Sequence, residues 1–146
     1  MRRNISASWR VADFRLPNAE SERVACTADL KARTKQFALR IMKLVDSLPR
    51  TIQGHAIANQ IIRSATSVAA NYRGACRARA RAEFIAKLGV VEEEADETAF
   101  WLELIIDSAL LTKARIHPLL TEAGELIAIM AASRKSALGN RQSAIR

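Results

Sequence analysis

The sequence predicts an all-α protein, an up-down-up-down antiparallel four-helix bundle, on three observations. Apolar residues recur at steps of three, four and seven in four segments, nothing between them alternates with the period of two that marks a strand, and the connections are short. Four amphipathic helices, each with one apolar stripe, bury those stripes most economically against one another. A length of 146 residues suffices for one domain with a sizeable core and is too short for two ordinary ones.

The first helix is expected from Asp29 to near Ser47, with Leu30, Phe37, Ile41, Leu44, Val45 and Leu48 as its stripe. Thr27 or Asp29 can cap its start, and Pro49 cannot continue it. The second begins between Thr51 and Ala56, at a boundary softened by Gly54, and buries Ile57, Ile61, Ala65, Val68 and Tyr72. Its small residues Ala65, Ser67, Ala69 and Ala70 would let a neighbouring helix come close.

The third helix is expected from Arg81 to Thr112, about 45 Å long at ~1.5 Å per residue. Phe84, Leu88, Val91, Ala95, Leu102, Ile105, Ile106 and Ala109 form its core face. The fourth has Pro118 near its first position and Leu119, Ala123, Leu126, Ile127 and Met130 on one face. It is expected to fade after Ala137, where Gly139 and Asn140 resemble a helix stop. The bundle domain thus covers residues 27–138, between an aperiodic tail at 1–26, whose Trp9 and Phe14 stay wet unless they dock, and a short tail at 139–146.

Composition removes several classes. Hydrophobic residues make up 49% of the chain, with Gly 5 and Pro 3, which argues against disordered, collagen-like and low-complexity chains. The longest uncharged run, Thr51 to Ile62, falls short of the roughly 18 apolar residues a membrane span requires. No apolar h-region follows Arg2 and Arg3, so the expectation is a cytoplasmic protein with no membrane partner.

Cys26 and Cys76 lie far apart without a C-x-x-C partner and are expected as reduced thiols. His55 and His117 both lack the Glu three residues earlier that di-iron bundles use. No metal or cofactor is implied. Nor is there a Gly-rich phosphate loop, an H-E-x-x-H or a G-x-S-x-G, and the expectation is a protein that is not an enzyme, with no catalytic residues.

Charge is unevenly divided. The chain is +8 overall, yet residues 27–82 carry eleven bases against two acids, whereas residues 83–112 carry eight acids against one base. On an unbroken second helix, Arg63, Arg73, Arg77 and Arg81 would share an arc of about 80°, with Arg79 close by. Arginine contacts phosphate bidentately and releases counterions, so such a stripe can bind RNA or DNA without reading sequence. Lys31, Lys35 and Lys43 on the first helix would support it. The competing reading is a protein-interaction or scaffold bundle, in which the arginines pair with acidic residues of the third helix, within one chain or between chains. Val90, Phe100, Trp101 and Leu104 fall outside the core arc of the third helix and form an apolar patch, which predicts a homo-oligomer interface.

Gln60 to Glu97 reads QIIRSATSVAANYRGACRARARAEFIAKLGVVEEEADE, and here the chain resembles the four helix bundle family also called 23S rRNA intervening sequence proteins. The resemblance covers about Asp29 to Leu111 and rests on Arg63, Ser64, Ser67, Asn71, Arg77, Glu83, Phe84 and Leu88, with Glu94 and Glu97 at the later acidic positions. The family commonly has Ala-Glu-Gly after its Asn, whereas Tyr72, Arg73, Gly74 and Ala75 follow here, which replaces an acid by basic character. The resemblance implies small bacterial cytoplasmic proteins that assemble as rings of five, some encoded inside insertions in ribosomal RNA genes. It also implies kinship with the accessory variability determinant of diversity-generating retroelements, a basic pentamer that binds nucleic acid and a reverse transcriptase. Asn71, Glu94 and Glu97 are read as structural polar residues within such a bundle.

Overall fold

The computed structural model describes residues 26–143, with side chains to residue 139. Four helices follow one another: α1 (Ala28–Val45), α2 (Ile52–Ala75), α3 (Arg81–Asp107) and α4 (Lys113–Ser143). Among the described residues there is no strand. Consecutive helices pack against each other, α1 closes the ring by a slighter contact with α4, and α1 and α3 lie on opposite corners. This is a four-helix bundle with up-and-down neighbours. No helix among the described residues is long and apolar enough to cross a membrane.

Caps define the first two helices. Thr27 Oγ1 accepts from Leu30 N–H at 3.1 Å and Thr51 Oγ1 accepts from Gly54 N–H at 3.1 Å, each satisfying an otherwise orphan donor. Gly54 is buried where a Cβ would run into the carbonyl oxygen of Pro49. The residue that looked like a soft boundary is therefore the point at which the chain turns tightly into α2. Ile57, Ile61, Ala65, Val68 and Tyr72 are all buried, as their spacing requires. Burial pushes the Tyr72 phenol well above its ordinary range.

The far end of α3 differs from the sequence expectation. The helix stops at Asp107, not Thr112, because Ala109 turns left-handed at φ 54. Leu110 N–H then donates to Ile105 O at 3.1 Å and Ala109 N–H to Ile106 O at 2.9 Å, the paired bonds of a Schellman cap. Ala109 is consequently exposed and leaves the core, and Ile106 is only half-buried.

At α4 both ends move outward. The helix starts at Lys113, five residues before Pro118, because Ile116 is fully buried and anchors the first turn. Pro118 lacks the N–H that would reach back to Ala114, but both residues are exposed, so water can satisfy that carbonyl. At the other end α4 runs through Gly139 and Asn140 to Ser143, which makes residues 139–143 helix and not tail. The expectation for residues 1–25, including Trp9 and Phe14, lies outside the described residues.

The cysteine expectation is overturned. Cys26 and Cys76 form a disulfide with Cα atoms 5.4 Å apart, because antiparallel packing brings the chain just ahead of α1 beside the residue after α2. Fifty residues of sequence separation concealed a spatial pairing.

Three variants test these local readings by urea unfolding. Gly54→Ala is expected to lose about 1–3 kcal/mol through overpacking against Pro49, although helix propensity alone would favour Ala. Gly124→Ala, at an exposed helical site where a Cβ would meet nothing within 4 Å, is expected to gain about 1 kcal/mol. Cys76→Ser opens a loop closed across half the domain and is expected to lose about 2–4 kcal/mol relative to the oxidised protein, with no loss in the reduced one.

Candidate nucleic-acid interface

The basic residues separate once folded. Arg73 and Arg77, at the C-terminal end of α2 and the turn after it, face Lys31 and Lys35 on the first turns of α1 across an open groove. Its floor is made of small residues, Ala32, Ala38, Thr66, Ala69 and Ala70. Those alanines let the two helices lie close, so four long basic side chains rim a shallow apolar trough. Among the described residues no carboxylate lies within ion-pair distance of any of the four.

The continuous Arg stripe does not form, because α2 ends at Ala75 and residues 76–80 make a turn. Arg63 lies on the α3 side of its helix, 3.8 Å from Glu97. Arg79 is exposed on the turn, where its backbone N–H donates to the Glu83 carboxylate at 3.0 Å and helps start α3. Arg81 opens α3, and its guanidinium donates to the Ala137 carbonyl of α4, with Nε at 2.9 Å. It serves as a tie between α3 and α4. Lys43 is exposed on α1, away from the groove.

The three polar residues occupy the α2–α3 flank. Asn71 Nδ2 donates to Ser67 O at 3.0 Å, a bond within its own helix. Glu97 accepts from Trp101 Nε1 at 3.2 Å. Glu94 Oε2 is buried without a hydrogen-bond partner. Burial first, then the neighbouring Glu97 carboxylate, hold the Glu94 carboxyl above the ordinary range, against the attraction of Arg63. Beneath this flank Thr98 Oγ1 donates to Ser64 Oγ at 2.9 Å, joining the two helices through a buried bond.

Sequence reading missed two ion networks that position α4. Arg33 Nε donates to Glu122 at 2.7 Å while another guanidinium nitrogen reaches Glu122 at 2.9 Å and also Glu125, spanning the slight α1–α4 contact. The Glu122 hydrogen bond raises the Arg33 pKa further. Arg134 pairs with Glu92 at 3.0 Å, its guanidinium lying over Gly89. The spacing of Glu122 and Glu125, two acids one helical turn apart in an otherwise basic segment, was the available signal.

The fold and the groove define a small four-helix bundle with a basic trough between its first two helices. A family model described as 23S rRNA-intervening sequence protein matches residues 28–132, and the chain belongs to that family. A crystal structure of a protein with unknown function from the S23 ribosomal protein family, from Bacteroides thetaiotaomicron VPI-5482, is similar at 35% identity and a TM-score of 0.65. The match covers 68% of this chain and 93% of that one. Comparison with curated proteins found no match.

Glu94 yields a pH prediction. A carboxyl whose folded pKa is raised costs stability above that pKa, and the cost disappears below the unfolded value, near ~4.3 for Glu. Glu94→Gln is therefore expected to raise Tm at pH 7–8, with the advantage shrinking as pH falls to about 4. Thermal melts followed by circular dichroism across that range measure it.

Proposed function

We propose that the protein binds RNA or DNA through the phosphate backbone as a non-catalytic bundle, with Lys31, Lys35, Arg73 and Arg77 as the contacting residues. The observation that carries this reading is the convergence of these four cations, from two helices, on one groove that no carboxylate among the described residues neutralises. A trough floored by Ala and Thr lets a phosphate strand approach the backbone closely. It offers no aromatic platform for base stacking. The chemistry is therefore electrostatic and sequence-independent, and selectivity would come from a partner or from nucleic-acid shape.

The scaffold reading, in which the arginines are used up in pairing with Glu94, Glu97 and their neighbours, draws support from Arg63. Its guanidinium is near Glu97 yet remains 72% exposed.

Binding of structured RNA and of duplex DNA across a salt series tests the proposal. Four phosphate contacts predict a log-log slope of about −3.6 on duplex DNA, and the Lys35→Ala, Arg73→Ala, Arg77→Ala triple variant is expected to reduce its magnitude by about 2.7. Lys113→Ala with Lys135→Ala, which removes exposed charge elsewhere, should leave most of the slope intact. Absence of wild-type binding at physiological salt, or equal losses in both variants, would overturn the groove as the site.

A further inference from the structure

Helices α1 and α2 form a hairpin that is closed at both ends. At one end a short connection, residues 46–51, runs into the tight turn where Gly54 lies against Pro49. At the other end the Cys26–Cys76 disulfide joins the chain just ahead of α1 to the residue that caps the C-terminus of α2. Among the described residues no other disulfide holds that end, and the basic groove lies there. Cys76 stands three residues after Arg73 and directly before Arg77, while Cys26 precedes Lys31 and Lys35 by five and nine residues.

Beside the groove the two helices hold each other weakly. The floor residues Ala32, Ala69 and Ala70 present only a methyl group, and in the first two turns of α1 only Leu30 and Thr34 are buried. Arg33 adds its tie to α4, which leaves the distance to α2 unconstrained. Lys31 and Lys35 meanwhile face Arg73 and Arg77, and like charges with no carboxylate within ion-pair distance push the start of α1 off the end of α2. The disulfide opposes that push. With 18 residues α1 is a lever of about 27 Å, so a swing of about 10° around the Pro49 end carries its start roughly 5 Å.

We propose that the Cys26–Cys76 pair is a redox switch on phosphate binding. Oxidised, it keeps the four cations converged on one nucleic-acid backbone; reduced, it releases the start of α1, and Lys31 and Lys35 cease to act together with Arg73 and Arg77. The proposal rests on the groove being the phosphate-binding site. The bond contributes by preorganisation, since a groove already assembled loses less freedom when ligand arrives. Both cysteines are half-buried, at the end of the bundle. A small dithiol supplies the chemistry. Its thiolate attacks one cysteine Sγ, the S–S bond breaks, and the other cysteine leaves as a thiolate that takes a proton. The reductant's second thiolate then displaces the first cysteine, so two electrons enter the protein and the reductant departs as a disulfide. A small-molecule disulfide runs the exchange in reverse.

Fluorescence anisotropy of labelled duplex DNA across a salt series tests this on the full chain, oxidised and after dithiothreitol, with thiol titration confirming each state. Oxidised protein is expected to show a log-log slope of about −3.6 and reduced protein about −1.8, with affinity lower by roughly 30-fold at about 0.15 M salt, the counterion-release share of two contacts. The Cys26→Ala, Cys76→Ala double variant should match reduced wild type and ignore dithiothreitol. Circular dichroism on the same samples should show equal helicity in both states, and amide exchange should quicken on reduction at Leu30 to Lys35 more than at Ile41 to Leu44. Equal slopes and affinities in the two states, or a double variant that still responds to dithiothreitol, would overturn the switch while leaving the groove standing. Wholesale loss of helicity on reduction would make the bond a staple of the fold and overturn the switch as well. Absence of binding in both states overturns the groove itself and the switch with it.

Discussion

The bundle depends on the apolar stripe of α3. Phe84, Leu88, Val91, Ala95, Leu102 and Ile105 are all buried, and both α2 and α4 pack extensively along that helix. Each of the larger side chains contributes on the order of 1.5–3 kcal/mol when fully buried, so the stripe dominates any surface ion pair. Fixing α3 between two neighbours leaves α1 on the opposite corner, held by α2, by the disulfide and by Arg33 reaching α4. The position of α1 in turn creates the groove, since Lys31 and Lys35 approach Arg73 and Arg77 only when α1 lies close along the alanines of α2.

Polar groups inside this frame divide by how well they are satisfied. Ser64 and Thr98 share their two hydroxyl protons among the bond between them and the carbonyls of Ile61 and Glu94 one turn back on their own helices, so burying them costs little. The buried Glu92 oxygen has the Arg134 guanidinium at 3.0 Å. Glu94 differs, with a buried oxygen lacking a hydrogen-bond partner and a carboxyl held above its ordinary range. Its neighbours Glu97 and Arg63 act on it electrostatically in opposite directions. The α2–α3 flank therefore carries a cost that the apolar core must offset.

The candidate site was legible in the sequence as composition more clearly than as geometry. Lys31, Lys35, Arg73 and Arg77 were all visible as cations on two basic segments, and the groove unites them. Arg81 had the same type and phase, yet its guanidinium serves a carbonyl at the end of α4. Helical phase assigns a direction only while the helix continues. The turn at 76–80 resets that phase, so Arg77, Arg79 and Arg81 point according to the turn and to α3.

By itself the sequence determined that there are four helices, the buried faces Ile57 to Tyr72 and Phe84 to Ile105, a cap from Thr27 or Asp29 at the start of α1 and the outward placement of Val90 and Phe100, whereas Trp101 and Leu104 of the expected patch are half-buried against the core. Those follow from local periodicity and capping, which act within a turn or two of chain. Tertiary structure alone decided that Cys26 meets Cys76, that Arg33 reaches Glu122 and that α3 ends where Ala109 turns left-handed. It also decided that α4 starts at Lys113, because a fully buried Ile116 outweighs a proline whose missing bond faces water. Each of these is set by which helix lies beside which, and packing between distant segments leaves no period in the residues that take part.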